Sequence, residues 1–331
     1  MIAHESFLVI ILNVREEYKM KKVIEVRNLV KEFQNVKALK GIDFDVYRGE
    51  VLCLLGPNGA GKSTTINILS TALKFDEGEI LLNKKDIFSN VLESKKSFGI
   101  VPQEVALYED LSAERNIEFF ASLYGLRGEL LNKRVNEALE FAGLHERRKH
   151  KVKTFSGGMK RRLNIACALA HKPDIIIMDE PTVGIDPQSR NYILDSIKKL
   201  QEKGVTIVYS THYMEEVEEI STRIIIIDHG EIIAEGTKEK LKKSISNGRM
   251  SIVEVEDAKS IVEEEFFEIE GVKGVSIEKN KILINSLKGV QNLDRIIAKL
   301  IDMKVKIKNI TSQEASLETV FLNLTGRSLR D

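Results

Sequence analysis

A glycine-rich stretch that ends in a lysine and a serine, GPNGAGKS, occupies residues 56–63. It follows the apolar run VLCLL and precedes a helix-forming segment, the setting in which the pattern G-x-x-x-x-G-K-[ST] binds phosphate. The glycines let backbone N–H groups converge on phosphate oxygens, the lysine reaches the β- and γ-phosphates, and the serine ligates Mg²⁺. The residues predicted to bind a nucleoside triphosphate are Gly56, Pro57, Asn58, Gly59, Ala60, Gly61, Lys62, Ser63 and Thr64.

Two carboxylates end a second apolar run, IIIMDEP at 175–181. Open α/β sheets bind ligands at the carboxyl ends of their strands, so these side chains are candidates for the same site. Asp179 suits the Mg²⁺ shell, and Glu180 can orient or deprotonate an attacking water. The alternative is an acidic strand end that caps the next helix.

Two more polar side chains follow predicted strands. Gln103, in VPQE, comes after SFGIV and could contact both Mg²⁺ and the hydrolytic water, although a single glutamine is also typical of a surface turn. His212 comes after VTIVYS, at the same sheet edge as Glu180. We expect it to contact the γ-phosphate, and a helix cap is the alternative.

A second anion-binding pattern lies at 155–163, where FSGGMKRRL joins a Ser-Gly-Gly turn to a basic, helix-forming stretch. The N-terminus of a helix binds anions through its free N–H groups and its dipole. The sequence thus has two phosphate-binding patterns and one evident nucleotide site, so the ligand of the second pattern needs an explanation.

The elements that must position these residues follow from the hydrophobic pattern. Apolar strands alternate with helices up to about residue 240, which predicts a largely parallel sheet covered on both faces. The predicted strands are 22–30, 43–47, 51–55, 174–180, 205–210 and 223–228, with helices at 62–73 and 189–202 and a helical region at about 104–172. After a lysine-rich linker, the order strand-helix-strand-strand-helix-strand, with a helix in DAKSIVEEEFF, predicts a small α+β, ferredoxin-like domain at 245–331.

Length and composition limit the classes of protein to which the chain can belong. The 331 residues exceed the usual ~100–200 of one domain, which predicts a large domain and a smaller one. Lys+Arg and Asp+Glu both number 50, so no global field attracts nucleic acid or an anionic membrane. Cys53 and Cys167 lie in apolar runs, which favours buried thiols and the cytoplasm.

The N-terminal residues 1–19 contain the longest apolar run, FLVIIL at 7–12. This run is far shorter than the ~20 residues that cross a bilayer. It follows Glu5 instead of a basic region, which argues against a secretory signal. We interpret 1–19 as an extension and Met20 as an alternative start.

Five motifs in this order, GPNGAGKS, VPQ, FSGGMKRR, IIIMDEPTVGIDP and STH, resemble the ATP-binding subunit of ABC transporters over about residues 22–240. The resemblance implies a P-loop NTPase fold of the ABC ATPase type at 20–240, with an antiparallel β subdomain and a helical subdomain. It also implies Mg²⁺-dependent hydrolysis of ATP, with Phe33 where an aromatic residue, often tyrosine, stacks on adenine.

The same resemblance offers a ligand for the second pattern. In this family two ATP-binding domains meet head to tail, and the signature turn of one contacts ATP on the phosphate loop of the other. The matching signature residues here are Ser156, Gly157, Gly158 and Met159, and Asp186 stands in the D-loop position. A contact of this kind, repeated under a two-fold axis, closes into a dimer with two composite sites.

The segment SLETVFLNLTGRSLRD at 316–331 resembles the terminal motif of the daunorubicin-resistance type of ABC-2 exporter. Its apolar stripe, at helical spacing, is expected to face the core or a dimer partner. The implied partners are a second copy or a homologous ATPase subunit, and an integral membrane permease that holds the protein at the inner face of the membrane. We expect no nucleic acid partner and no metal beyond Mg²⁺.

A different class stays open, a soluble ABC-type ATPase that acts on ribosomes, DNA or cofactor assembly. The single cassette and the balanced charge favour the transport class. For transport, the aromatic residues between 105 and 126 could line a groove for a permease helix, although internal packing is the ordinary role of each ring. These rings are Tyr108, Phe119, Phe120 and Tyr124.

Overall fold

The computed structural model of the chain describes residues 21–34, 36–245, 248–258, 261–287, 290–313 and 316–325. These residues form two compact units, which divide between residues 233 and 234. The predicted extension at 1–19 and the alternative start at Met20 lie outside the described residues.

The first unit contains an antiparallel sheet that includes a long hairpin. Its strands are β1 (Lys22–Phe33), β2 (Val36–Tyr47), β4 (Glu77–Leu82) and β5 (Lys85–Asp86), in the order β2-β1-β4-β5. β1 pairs antiparallel with both β2 and β4, and its inward-facing Ile24, Val26 and Leu29 are fully buried. This is the antiparallel subdomain that the family resemblance implied.

The second sheet consists of β3 (Val51–Leu55), β6 (Phe98–Val101), β7 (Ile175–Asp179), β8 (Thr206–Thr211), β9 (Arg223–Asp228) and β10 (Glu231–Gly236). Their order in the sheet is β10-β9-β3-β8-β7-β6. Its pairs β3–β8, β3–β9, β6–β7 and β7–β8 are parallel, which confirms the predicted largely parallel sheet. Every residue of β3 and β7 is buried, as expected for strands covered on both faces.

Helices connect these strands and form a separate layer. Ser156 and Asp186 act as N-caps of the helices that begin at Gly157 and Pro187, since their side chains accept backbone N–H groups of the first turn. The helices are α1 (Lys62–Leu69), α2 (Val91–Lys96), α3 (Ala113–Leu123), α4 (Gly128–Phe141), α5 (Gly157–Leu169), α6 (Pro187–Glu202) and α7 (Met214–Ile220). Of these, α3, α4 and α5 enclose an apolar cluster of their own, which includes Ile117, Leu139 and Leu163.

The second unit contains a four-stranded antiparallel sheet. Its strands β11 (Gly248–Val255), β12 (Val272–Glu278), β13 (Lys281–Leu287) and β14 (Ile307–Gln313) have the order β12-β13-β11-β14. Helices α8 (Lys238–Ile245), α9 (Leu293–Asp302) and α10 (Leu317–Thr325) complete it. Ile296 and Leu300 of α9 belong to the apolar cluster that the sheet encloses.

Two details of this unit bear on the sequence predictions. DAKSIVEEEFF does not form an α-helix in the described residues, which show a 3₁₀-helix at Glu263–Glu268 instead. An α-turn would bring the like charges of Glu264 and Glu268 together at i,i+4, which disfavours it.

The apolar stripe predicted in 316–331 lies on α10 and mostly faces the core, since three of its members are fully buried: Leu317, Val320 and Phe321. None of the helices in the described ranges has the length and apolar character of a membrane span.

Candidate active site

The glycine-rich loop connects β3 to α1 and folds around its own lysine. Gly61, the residue before α1, has φ 109°, and a methyl group added there would lie 2.8 Å from the carbonyl oxygen of Ala38. Glycine is therefore required both for the left-handed backbone and for the close approach of β2. Lys62 Nζ donates to the carbonyl oxygens of Gly56 at 2.8 Å and Pro57 at 3.0 Å.

The two predicted carboxylates lie at the end of β7. Glu180 has φ 43°, a left-handed conformation that is strained for a residue with a side chain and that clusters at functional sites. Ser210 of β8 holds it, because the Glu180 N–H donates to Ser210 Oγ at 3.0 Å. The same hydroxyl donates to Asp179 Oδ1 at 2.6 Å, so one serine fixes both acidic residues.

The residues predicted to hold Mg²⁺ come together at this strand end. Ser63 Oγ donates to Asp179 Oδ1 at 3.1 Å, and Gln103 Nε2 lies 3.5 Å from Glu180 Oε2. A hydroxyl, a carboxylate and an amide oxygen form the all-oxygen donor set that Mg²⁺ prefers. The side chains present therefore fit this ion.

Glu180 is the centre of the site. Its Oε1 lies 3.2 Å from Lys62 Nζ and 3.2 Å from His212 Nδ1. The Glu180 side chain is 5% exposed and that of Lys62 is 4% exposed. Burial lowers the pKa of Lys62, and the carboxylates of Glu180 and Asp179 oppose this shift. Residues from four separate parts of the sequence thus meet around one carboxylate.

In the described residues, the signature turn makes no hydrogen bond to the side chains around Glu180. The Ser156 hydroxyl accepts the Met159 N–H at 3.2 Å, and Met159 packs against the apolar cluster of the helical layer. Ser156 and Gly157 are exposed, and a methyl group added at Gly157 would meet no atom within 4 Å. Ser156 and Gly157, where the helix begins, therefore lie at an open surface.

Phe33 also lies at the surface. It ends β1 with 45% of its area exposed, and Lys31 Nζ lies 5.4 Å from the centroid of its ring. Phe33 is thus a partly exposed aromatic ring, the kind of side chain that adenine stacking requires.

The signature turn packs against the D-loop of the same chain. A methyl group added at Gly158 would lie 2.0 Å from Ser189 Oγ and 3.0 Å from Asp186 Oδ2. Asp186 Oδ1 accepts the Ser189 N–H at 2.8 Å, and hydrogen bonds from Ser189 lower the pKa of the Asp186 carboxyl. Asp186 is therefore both the predicted D-loop residue and an N-cap.

A buried carboxylate that sequence reasoning missed connects several parts of the site. Glu216 is fully buried and accepts hydrogen bonds from Thr182 Oγ1, Arg190 Nε, Tyr209 OH and Thr211 Oγ1. Its hydrogen bonds join the segment that follows Glu180, the helix α6 and the strand β8, which leads to His212. In the sequence it looked like one more acidic residue of a solvated helix, so no local signal could have identified it.

Three of the four aromatic rings singled out in the sequence form a surface cluster. Tyr108 is 50% exposed, and its ring centroid lies 4.9 Å from that of Phe119, which is 5.4 Å from that of Phe120. Tyr124 instead stacks on His171, with the two ring centroids 3.5 Å apart. We call Tyr108, Phe119 and Phe120 the aromatic surface.

Comparison with known proteins places this geometry in a family. A family model described as ABC transporter matches residues 39–183. The linearmycin resistance ATP-binding protein LnrL of Bacillus subtilis is 43% identical over 312 residues, which are 93% of this chain and 100% of that protein. The daunorubicin/doxorubicin resistance ATP-binding protein DrrA of Streptomyces peucetius is 34% identical over 313 residues, which are 94% of each chain.

Solved structures agree with these relatives. The dimeric post-hydrolysis state of the ATP-binding cassette MJ0796 bound to ADP and Pi is 31% identical, with a TM-score of 0.60 over 65% of this chain and 98% of that one. An ATP-binding subunit of an ABC transporter is 30% identical, with a TM-score of 0.62 over 67% of this chain and 92% of that one. The chain therefore belongs to the ABC transporter family, as an ATP-binding, ATP-hydrolysing subunit of the exporter type.

Proposed function

We propose that two copies of this chain, or one copy and a homologous subunit, close head to tail around two ATP molecules. The observation that carries this proposal is the exposure of Ser156 and Gly157 in the signature turn, which leaves this end of the turn open to a ligand held by another chain. Ser156, Gly157, Gly158 and Met159 would then contact the γ-phosphate on the partner's phosphate loop. Asp186 would lie at the same interface.

Hydrolysis is assigned to the residues around Glu180. Lys62 neutralises charge on the β- and γ-phosphates, and Glu180 orients or deprotonates the attacking water. His212, 3.2 Å from Glu180 Oε1, contacts the γ-phosphate from the next strand. Help of this kind to the attacking water is worth about 10²–10⁴-fold, or roughly 3–5 kcal/mol of barrier.

Mg²⁺ would be held by Ser63, Asp179 and Gln103, with Ser210 orienting the Asp179 carboxylate. When bound, the ion offsets negative charge on the phosphate oxygens. The adenine would stack on Phe33, which is 45% exposed.

The transport step requires an integral membrane permease, and we assign its docking site to the aromatic surface. Through this contact the chain would lie at the cytoplasmic face of the membrane. The two relatives described above are named for resistance to linearmycin and to daunorubicin or doxorubicin, which favours export of drug-like compounds over the soluble alternative.

The dimer is tested with Glu180→Gln, which keeps the shape of the side chain and removes its charge. We expect the variant to bind ATP, to lose about 10²–10⁴-fold in turnover and to elute as a dimer with ATP and Mg²⁺. The matched control is the double variant with Ser156→Arg, which places a bulky cation in the signature turn and should bind ATP as a monomer. If Glu180→Gln stays monomeric with saturating ATP, the head-to-tail site is wrong.

Docking of the permease is tested at the aromatic surface. Tyr108→Asp puts a charge among the rings and should abolish transport and co-purification of the permease, while ATP hydrolysis by the isolated subunit is unchanged. Leu130→Asp, at another exposed apolar residue of the helical layer, is the control. Unaffected transport by Tyr108→Asp would exclude this surface.

A further inference from the structure

Arg161 connects the signature helix to the loop that carries Gln103. It lies in the first turns of α5, the helix that begins at the signature turn, and is 5% exposed. Its Nη1 donates to the carbonyl oxygen of Pro102 at 3.0 Å, and its Nη2 donates to that of Gln103 at 2.7 Å. One guanidinium therefore spans two consecutive carbonyl groups.

This arrangement is unusual for a buried cation. Burial lowers the pKa of Arg161, and within the described part of the chain no carboxylate forms an ion pair with it. Its Nε has no hydrogen-bond partner there either. Burying an unpaired charge is costly, so a side chain used for packing alone would be expected to be apolar. The two carbonyl contacts are what the charged group provides.

The two carbonyl groups belong to the peptide units on either side of the Gln103 Cα. Fixing both of them limits rotation of the backbone at Gln103 and so sets the direction of its Cα–Cβ bond, from which the side chain extends. The amide of that side chain lies 3.5 Å from Glu180 Oε2. A continuous series of contacts thus runs from α5 through Arg161 and Gln103 to Glu180.

We infer that Arg161 is a positioning residue for ATP hydrolysis, which holds Gln103 in place against Glu180 and ties it to the helix of the signature turn. The planar fork of arginine reaches both carbonyl groups at once, whereas the single ammonium of lysine cannot reproduce this geometry. The inference rests on the proposed roles of Gln103 and Glu180.

The next residue of the helix provides a matched control. Arg162 Nη1 donates to the carbonyl oxygen of Ala142 at 2.8 Å, and its guanidinium lies 4.7 Å from the ring centroid of Tyr192. Arg162 Nε, like that of Arg161, is buried without a hydrogen-bond partner in the described residues. Both arginines lie on the same helix and have a buried Nε, Arg161 is buried and Arg162 half-buried, and Arg161 is the one that contacts the Gln103 loop.

The test compares Arg161→Lys with Arg162→Lys in the full chain. We expect Arg161→Lys to lower kcat by at least about tenfold, because a displacement of about 1 Å in a catalytic group has effects of that order or larger. The Kd for ATP should stay within about twofold, and the Mg²⁺ concentration for half-maximal activity should rise. Arg162→Lys should leave kcat and the Mg²⁺ dependence within about twofold of the unsubstituted chain.

A double-mutant cycle with Gln103→Ala separates positioning from a general structural effect. If Arg161 acts through Gln103, Arg161→Lys lowers kcat in the unsubstituted chain and has no further effect in the Gln103→Ala background. Three results would overturn the inference: an equal loss in both backgrounds, an unchanged kcat, or an Arg161→Lys protein that does not fold. Because ATP-dependent dimerisation of Glu180→Gln is measured separately, failure of the head-to-tail site would be recognised independently.

Discussion

Gly158→Ala should destabilise the chain and reduce ATP hydrolysis, and the cause lies in the same chain. The added methyl group would lie 2.0 Å from Ser189 Oγ and 2.5 Å from Ser189 Cβ. Ordinary contacts between such atoms are about 3.5–4.0 Å, so α5 and α6 must separate by roughly 1–2 Å. Overpacking of this kind costs typically about 1–3 kcal/mol.

The assays are thermal unfolding and steady-state ATP hydrolysis. For a unit of this size about 1–3 kcal/mol corresponds to a fall in Tm of roughly 2–12 °C. Movement of the signature turn by about 1 Å should lower kcat by up to about 10²-fold if the turn contacts ATP. Ser189→Gly alone should cost about 0.5–1 kcal/mol, since glycine lowers helix propensity.

The double variant Gly158→Ala/Ser189→Gly supplies the decisive comparison. Removal of the Ser189 side chain leaves Asp186 Oδ2, at 3.0 Å, as the close contact of the methyl group, and a shift of a few tenths of an ångström relieves it. The double variant should therefore be close in stability to Ser189→Gly alone, and its kcat should recover. Recovery of Tm without recovery of kcat would show that the methyl group also blocks the partner's nucleotide. If the double variant were as unstable as Gly158→Ala, packing against Ser189 would be excluded as the reason for glycine.

Three further predictions concern other parts of the site and the fold. Ser210→Ala removes a hydrogen bond to the buried Asp179 carboxylate, so it should lower the free energy of unfolding by about 1.5–3 kcal/mol and raise the Mg²⁺ concentration required for hydrolysis. The control Ser196→Ala also loses a buried hydroxyl and should leave the required Mg²⁺ concentration unchanged. Burial lowers the pKa of His171 to about 4, against about 6.5 in the unfolded chain. The unfolded chain therefore takes up a proton first as the pH falls from 6.5 to 4, which should lower the free energy of unfolding by at most about 3 kcal/mol, given the partial exposure of His171. His171→Asn should flatten this dependence in thermal unfolding, and an unchanged slope would contradict the assignment. Phe33→Ala should weaken ATP binding by about 1–3 kcal/mol without lowering kcat at saturating ATP, whereas Phe33→Tyr should leave the affinity for ATP unchanged. Equal affinities of the unsubstituted chain and both variants would exclude stacking at this ring.

The sequence alone determined the features that depend on neighbouring residues. The glycine loop, the apolar strands and the N-cap residues are local patterns, because backbone conformation and strand burial are set within a few positions. Parallel strands end at one edge of the sheet, so the meeting of Lys62, Glu180 and His212 could also be expected from their places after successive strands. The structure brings all three within one cluster.

Only the tertiary structure decided which isolated polar residues complete the site. Ser210 reaches Asp179 because β7 and β8 pair in the register that sets these residues side by side. Arg161 reaches the Gln103 loop, 58 residues away in the sequence, because α5 packs beside it. A single serine, arginine or glutamate is not part of a repeating sequence pattern, and strand register and helix packing determine which residue it contacts. These contacts therefore could not be predicted from the sequence alone, whereas the glycine-rich loop at 56–63 could.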